Sequence, residues 1–309
     1  MKAMNTPTNH HYVPQHFLAA WSQDGRLVSR YVRIAHTGKL HFRKGAGIVN
    51  LGSENDLYVI ENTDGRAEFE TTIVTALLDT PGAEIVKKAR ETGIRSLSSE
   101  ERRTFSHYVV MLEMRNPRTI ALMSLSEADV GALHAGQNAV SGDTVGAREA
   151  ARLLSSIHTG KTAAGLGIAN DFTFSDILFG CPPIAFETHA PRLLSSNYPV
   201  GRVGSYERNF LVGLALSPTS GLFWCSQPAL TAELEKLTIW QQATFLNFLT
   251  LGRAEVAFTD LDIMDTFVDE HLGWQIRLDE SSQKEKLAAM LGKIKETALP
   301  ATFGAATSK

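Results

Sequence analysis

The grouping of strand-like and helix-like apolar patterns constrains the fold of this chain more than any other feature of its sequence. Weak alternation over residues 27–34 and the stretch 39–43 indicate strands, and helical spacing takes over from Glu68. Strand patterns return from Ile184, and helical spacing returns from Ala232. Because strands and helices are grouped, the sequence predicts an α+β fold, with a mixed, mainly antiparallel sheet from N-terminal and late strands and with central and C-terminal helices.

The pattern of the first sixty residues predicts a short helix that is followed by strands. Pro14 suits the first turn of a helix that runs to Trp21. The pair Thr37-Gly38 separates two strand-like stretches, so we expect a β-hairpin at this point. A further short strand is expected at residues 57–60.

The middle of the chain predicts helices. Residues 68–90 have helical spacing, and Pro81 must break or kink that helix. Ser98 and Glu101 have the spacing of a capping box, which marks the start of the next helix. Pro117 is expected to end it. The apolar face of this helix is predicted to consist of Phe105, Tyr108, Val109 and Leu112.

The second half returns to strands and closes with helices. Weaker helical patterns precede these strands, at residues 127–135, 147–157 and 163–168. The small residues of 160–167 predict a flexible stretch. Strands are expected at residues 184–187, 193–196, 210–216 and 221–225. Helices are expected at residues 232–251 and 283–297.

The length of 309 residues suffices for one large domain with a sizeable core. We expect residues 9–297 to form a single α+β domain. The polar residues 1–8 are expected to be a disordered N-terminus, and residues 298–309 a disordered tail.

Composition excludes several classes of protein. The net charge of −3 gives no global basic field for nucleic acid, so such binding would need a local patch. The two cysteines, Cys181 and Cys225, form no CxxC pair, which argues against a disulfide framework and a cysteine zinc site. The start of the chain lacks the apolar region of a signal peptide, and the longest apolar runs are too short to cross a bilayer. A cytoplasmic protein without membrane contact is expected.

Three histidines lie within seven residues near the N-terminus, at His10, His11 and His16. The backbone before Pro14 is expected to be extended, so His10 and His11 point to opposite sides and do not bind one metal together. His11 is the main candidate. It either anchors the N-terminal segment through a main-chain hydrogen bond, or pairs with a distant carboxylate such as Glu70 to hold a divalent metal or transfer protons.

Two glutamates offer that carboxylate. Glu68 and Glu70 are two residues apart, so they share one face only if the segment is extended. At a helix N-terminus they would instead interact favourably with the helix dipole. The functional interpretation requires Glu70 to turn toward His11.

Three further side chains are candidates for binding. Arg115 and Arg118 lie near a predicted helix C-terminus, where the helix dipole stabilises cations. Alternatively, they clamp a phosphate or a carboxylate in bidentate fashion. Asn197 either caps a turn or lines a site, since it follows a predicted strand end.

An ordered set of segments resembles DUF4238, a family of bacterial proteins. Residues 9–21 resemble its N-terminal signature, HYVPQxFLxxW. Ala67–Glu70 resembles its paired-glutamate segment, and Met114–Arg118 resembles its Arg-x-Pro element. Ser195–Val200 resembles its Ser-Asp-Asn-Pro-Val element, and Phe210–Pro218 resembles its strand ending in Leu-Ser-Pro. The resemblance covers about residues 9–258 and implies the fold and the candidate residues, but no established substrate.

One departure from the family pattern affects the functional prediction. This chain has Asn197 where the family element tends to have Asp, so a charge is missing there. If that Asp is a ligand or a base, this protein either works differently or does not catalyse.

Two functions are compatible with these residues. The first is a metal-assisted hydrolase of a phosphodiester or nucleotide, with His11 and Glu70 as metal ligands or base, Asn197 in the catalytic site, and Arg115, Arg118 and Glu68 in binding. The second is a non-enzymatic interaction or regulatory protein whose motif residues hold the fold. The partner would be a small molecule or a nucleic acid. We expect the early and late strands to bring His11, Glu70, Arg115 and Asn197 toward one cleft.

Overall fold

The computed structural model describes residues 9–34, 36–55, 57, 79–123, 173–261, 266–276 and 278–296. The predicted strand at 57–60 falls almost entirely outside these ranges, as do the predicted helices between residues 127 and 168, the flexible stretch 160–167 and both chain ends. Glu68 and Glu70 also lie outside them.

The described helices and strands follow the predicted grouping. The helices are α1 (Gln15–Leu18), α2 (Thr80–Thr92), α3 (Ser99–Met114), α4 (Pro117–Met123), α5 (Thr173–Gly180), α6 (Pro228–Lys236), α7 (Ile239–Leu251), α8 (Thr266–His271) and α9 (Glu280–Glu296). The strands are β1 (Asn9–His11), β2 (Leu27–Arg33), β3 (Leu40–Gly47), β4 (Ser53–Asn55), β5 (Ile184–Glu187), β6 (Ser195–Ser196), β7 (Val200–Gly204), β8 (Phe210–Ala215), β9 (Ser220–Cys225) and β10 (Val256–Thr259).

The described strands form three sheets, and every pairing in them is antiparallel. Strands β1 and β4 form a two-stranded sheet. A four-stranded sheet has the order β3-β2-β10-β6, which joins the N-terminal hairpin to late strands. A second four-stranded sheet has the order β5-β9-β8-β7. The predicted α+β class and the predominance of antiparallel pairing are therefore confirmed.

Helix α7 is the central helix of the core. Its residues Phe245, Leu246, Phe248 and Leu249 are fully buried. Strand β7 lies directly against it, since a Cβ atom on Gly201 would stand 2.5 Å from the main-chain carbon of Leu249. Glycine is therefore needed at position 201 for the sheet to approach the helix this closely.

The predicted helix over residues 232–251 is wrong in one respect, because two helices occupy this stretch. Leu237 is extended between α6 and α7, and Thr238 caps α7. The Thr238 hydroxyl accepts from the amide of Gln241 at 3.3 Å, and the Gln241 side chain accepts from the amide of Thr238 at 2.9 Å. This capping box satisfies amides at a new helix start, which favours the break.

The capping box predicted for α3 is confirmed. Ser98 accepts from the amide of Glu101, and the Glu101 carboxylate accepts from the amide of Ser98 at 2.8 Å. The predicted apolar face of α3 is buried throughout. Pro81 stands in the first turn of α2, where its missing amide hydrogen costs little. Among the described residues, no helix is both long and apolar enough to cross a membrane.

Candidate functional site

The histidine segment is an edge strand followed by a short helix. Strand β1 pairs with β4, and His11 lies opposite Ser53. Alternation along the strand buries His10 completely and leaves His11 half-buried. The two side chains therefore occupy opposite sides, as the extended backbone before Pro14 predicts. His16 lies on α1, the helix that follows.

His11 anchors the N-terminal segment to the main chain. Its Nε2 atom lies 3.0 Å from the carbonyl oxygen of Val49, to which a protonated Nε2 donates. Burial lowers the pKa of His11, and the Arg115 cation lowers it further, while the Val49 carbonyl and the Asp79 carboxylate act in the opposite direction. The ring is therefore mostly neutral at pH 7 and is held in a fixed orientation.

His16 contacts the hydroxyl of a buried tyrosine. Its Nε2 atom lies 3.1 Å from the Oη atom of Tyr108 on α3. Burial lowers the pKa of His16 to about 4, and burial also raises the pKa of Tyr108. Both groups are consequently neutral at pH 7, and the tyrosine hydroxyl can donate to the ring when Nε2 carries no proton.

Arg115 forms an ion pair with Asp79 near these histidines. The Nη1 atom of Arg115 lies 2.6 Å from Oδ1 of Asp79, and the arginine side chain is 5% exposed. Charges of both residues influence the pKa values of His11 and His16. These five side chains, His11, His16, Asp79, Tyr108 and Arg115, are called the histidine cluster below.

A glycine permits the helix contact that supports this cluster. A Cβ atom on Gly82 would stand 2.1 Å from Cδ2 of Tyr108, so no larger residue fits at this position without movement. The ring of Tyr108 therefore lies against the first turn of α2, close to Asp79. This contact fixes α2 relative to α3.

Asn116 links the Arg-x-Pro element to the late strands. Its side-chain Nδ2 donates to the carbonyl oxygen of Asn197 at 2.8 Å, and its Oδ1 accepts from the amide of Arg118 at 3.0 Å. The side chain of Arg118 remains 52% exposed, and among the described residues it pairs with the carboxylate of Glu255 at 4.0 Å. Such an exposed and long ion pair is weak, so Arg118 is available to a ligand.

Asn197 is buried and bonded to the main chain. Its Oδ1 accepts from the amides of Glu255 and Val256, at 3.0 and 3.1 Å. Its own amide donates to the carbonyl oxygen of Val256 at 3.0 Å. Burial raises the pKa of Tyr12, in the histidine segment, and the Asn197 side chain acts against that shift. This residue holds β10 and two motif segments together.

A cavity of about 460 Å³ opens beside this junction. Arg118, Arg202 and Arg253 line it, together with Tyr198 and Gln275. Burial raises the pKa of Tyr198 to about 12, so its hydroxyl is neutral at pH 7. The buried Oε1 of Gln275 has no hydrogen-bond partner among the described residues. We call this space the arginine cavity.

Glu113 holds two of the three arginines. Its Oε1 accepts from Nε of Arg202 at 2.6 Å and from Nη1 of Arg253 at 3.1 Å. Its Oε2 accepts from the hydroxyl of Tyr206 at 2.9 Å. Only 2% of the Glu113 side chain is exposed. One buried carboxylate thus fixes two guanidinium groups, and these three groups together carry a net positive charge.

Arg115 belongs to the histidine cluster with His11, whereas Arg118 lines the arginine cavity. The main-chain carbonyl of Asn197 bonds to Asn116, which lies between these two arginines in sequence. The positions of Glu68 and Glu70 fall outside the described residues. Within the described ranges, no three histidine, cysteine, aspartate or glutamate side chains group as a metal site.

Glu113, Arg202 and Arg253 were not predicted from the sequence. They lie on α3, on β7 and just after α7, and they share no sequence motif. One signal was present, because Glu113 follows the buried Leu112 on the apolar part of α3. A carboxylate in such a place requires a cationic partner, although its identity cannot be read from the sequence.

Comparison with known proteins supports the resemblance noted in the sequence. The family described as "Protein of unknown function (DUF4238)" matches residues 9–156. This match includes the histidine segment, the paired glutamates and the Arg-x-Pro element, and ends before Ser195–Val200 and Phe210–Pro218. No curated protein and no solved structure matches the chain.

Proposed function

We propose that this chain, which carries a DUF4238 region at residues 9–156, binds an anionic small molecule in the arginine cavity. The observation that supports this proposal is the set of three arginines around one cavity, Arg118, Arg202 and Arg253. Among the described residues that line this cavity there is no carboxylate. The buried Glu113 behind them offsets only part of their charge.

The chemistry of the lining favours phosphate or carboxylate as the bound group. A guanidinium presents paired donors that match two oxygens of such an anion. The volume of about 460 Å³ lies in the range of small-molecule sites. Arg202 and Arg253 are already oriented by Glu113, so little side-chain entropy is lost when they contact a ligand. The exposed Arg118 adds a third guanidinium group to the site.

Ligand binding without catalysis is consistent with the contacts that the motif residues make. His11 and Asn197 are engaged with main-chain atoms, and Arg115 is buried in an ion pair. Groups engaged in this way support the fold and do not face a substrate in the arginine cavity. This corresponds to the non-enzymatic alternative of the sequence analysis.

Calorimetric titration with adenosine monophosphate, pyrophosphate and inorganic phosphate tests this proposal. We expect binding that weakens as salt concentration rises, because the attraction is between charges. Arg118→Ala should weaken binding about tenfold, the loss of one hydrogen-bonded charge pair. Arg118→Lys should restore part of it, since the charge returns without the paired donors.

The matched control is Arg95→Ala, at an exposed arginine that does not line the cavity. It should bind as tightly as the wild type. Failure of all three probes to bind the wild-type protein would refute the proposal. Equal losses of affinity in the Arg95 and Arg118 variants would show that the ligand does not bind in the arginine cavity.

A second candidate is a metal-assisted hydrolase of a phosphodiester or nucleotide. The observation in its favour is that Asp79, which influences the pKa of His11, directly follows the segment that carries Glu68 and Glu70. In this proposal His11 and Glu70 hold a divalent metal and Arg115 assists. Hydrolysis assays with added Mg²⁺, Mn²⁺ or Zn²⁺ test it in the wild type, His11→Ala and Glu70→Gln. Activity that persists in both variants would exclude this mechanism.

We also propose that residues 9–297 form one domain and that the protein works in the cytoplasm of a bacterial cell. The larger of two clusters of buried apolar side chains among the described residues extends from Val13 to Ile294, which supports one domain. Both cysteines are free thiols, which agrees with a reducing compartment. Limited proteolysis and cell fractionation test these two statements.

A further inference from the structure

We infer that the bound ligand carries two phosphate groups on either side of a ring and extends from the arginine cavity into a neighbouring cavity. This inference rests on the proposed function and specifies the ligand class of the same site. The neighbouring space has a volume of about 810 Å³ and is called the second cavity. It lies between the β7–β8 turn and the helices α6 and α9.

The two cavities share part of their walls. Arg253 and Gln283 line both of them. Arg253 is fixed by its 3.1 Å bond to Glu113. Gln283 donates from Nε2 to the carbonyl oxygens of Gln275 and Leu278, at 3.0 and 2.9 Å. Two residues held by hydrogen bonds thus line both cavities. A molecule that contacts Arg253 in the arginine cavity can therefore extend into the second cavity.

The second cavity offers both cationic and apolar surface. Arg208 and Lys284 are exposed cations in its lining, and Glu207 is the carboxylate there. Leu230 and Leu287 contribute half-buried apolar side chains. The apolar pair suits one face of a ring, and the cations suit a phosphate. We therefore assign the ring and the second phosphate to this side.

The local charge agrees with a doubly anionic ligand. The chain as a whole has a net charge of −3, yet among the described lining residues cations outnumber carboxylates in both cavities. Arg253 stands where the two linings meet, so its field acts on both parts of the ligand.

Titrations with two probes test the inference. Adenosine monophosphate has one phosphate, and adenosine 3′,5′-bisphosphate has two. We expect the wild type to bind the bisphosphate about tenfold more tightly, the gain from one further charged hydrogen-bonded pair. Arg208→Ala should remove that gain and leave the monophosphate affinity unchanged. Arg118→Ala should weaken both probes, and Arg95→Ala should change neither.

The outcomes separate this inference from the proposed function. If both probes bind the wild type equally, or if Arg208→Ala leaves the bisphosphate affinity unchanged, the inference is wrong and the single anion site remains. If neither adenosine probe binds while pyrophosphate or phosphate does, the inference alone fails. If none of these probes binds, the proposed function fails and the inference fails with it. Arg208 is exposed, so its replacement should leave folding unchanged, which circular dichroism can verify.

Discussion

The side-chain amide of Asn116 donates a hydrogen bond of 2.8 Å to the main-chain carbonyl of Asn197. Eighty-one residues separate the two in sequence. This bond joins the Arg-x-Pro element at the end of α3 to the segment after β6. Arg118, two residues after Asn116, and Tyr198, the residue after Asn197, line the arginine cavity. The junction therefore positions one wall of the proposed binding site.

Replacing Asn197 should reveal its structural role. Asn197→Ala removes the acceptor of two main-chain amides, those of Glu255 and Val256. We expect the free energy of unfolding to fall by about 2–4 kcal/mol, since partly buried donors lose their partners. Asn197→Asp keeps an acceptor and should cost less. Urea denaturation measures both, with the exposed Asn50→Ala as a control. Equal stability of the alanine variant and the wild type would contradict this role.

Removing the charge of Glu113 should destabilise the protein. Glu113→Gln keeps the shape but leaves Arg202 and Arg253 without their shared carboxylate. A loss of about 3 kcal/mol in the free energy of unfolding is expected, because breaking a buried pair leaves uncompensated charge. The control is Glu100→Gln, at an exposed position on the same helix. If both variants are equally stable, Glu113 does not hold the arginines.

Neutralising Asp79 should lower the pKa of His11 further. The Asp79 carboxylate raises the pKa of His11, in opposition to the burial that lowers it. Asp79→Asn removes this attraction and leaves the Arg115 cation without its partner. NMR titration of the imidazole signals measures the change. A pKa of His11 that stays constant or rises would show that the histidine and Asp79 are not close in solution.

Acid should destabilise the protein partly through His16. Its pKa is about 4 in the folded protein and 6.5 for an ordinary histidine, so between these values the unfolded chain binds more protons. This contribution to stability is fully present above pH 6.5 and is lost as the pH falls toward 4, by about 3 kcal/mol. Denaturation at several pH values should show a weaker pH dependence for His16→Gln than for the wild type.

The glutamine in this variant can still bond to the hydroxyl of Tyr108, so the fold should be retained. The control is His36→Gln, at an exposed histidine. It should follow the wild-type curve. Identical pH dependence in His16→Gln and the wild type would contradict the assignment.

Local signals in the sequence predicted much of the secondary structure. The capping box at Ser98 marks a helix start, and the hairpin around Gly38 joins two strands as expected. Strand β7 was not predicted, because its two glycines give a weak strand pattern. Its strand state depends on contact with α7 and on pairing with β8. The break at Leu237 was missed because the apolar spacing continues across it.

The sequence by itself determined the class of the fold, the alternation of His10 and His11, and the similarity of residues 9–156 to the DUF4238 family model. These properties follow from periodicity, proline geometry and short motifs, all of which are local. The tertiary structure alone decided that Arg118, Arg202 and Arg253 share a cavity and that Glu113 lies behind two of them. Such an arrangement depends on the packing of α3, β7 and the end of α7, and no local pattern encodes distances between residues so far apart in sequence.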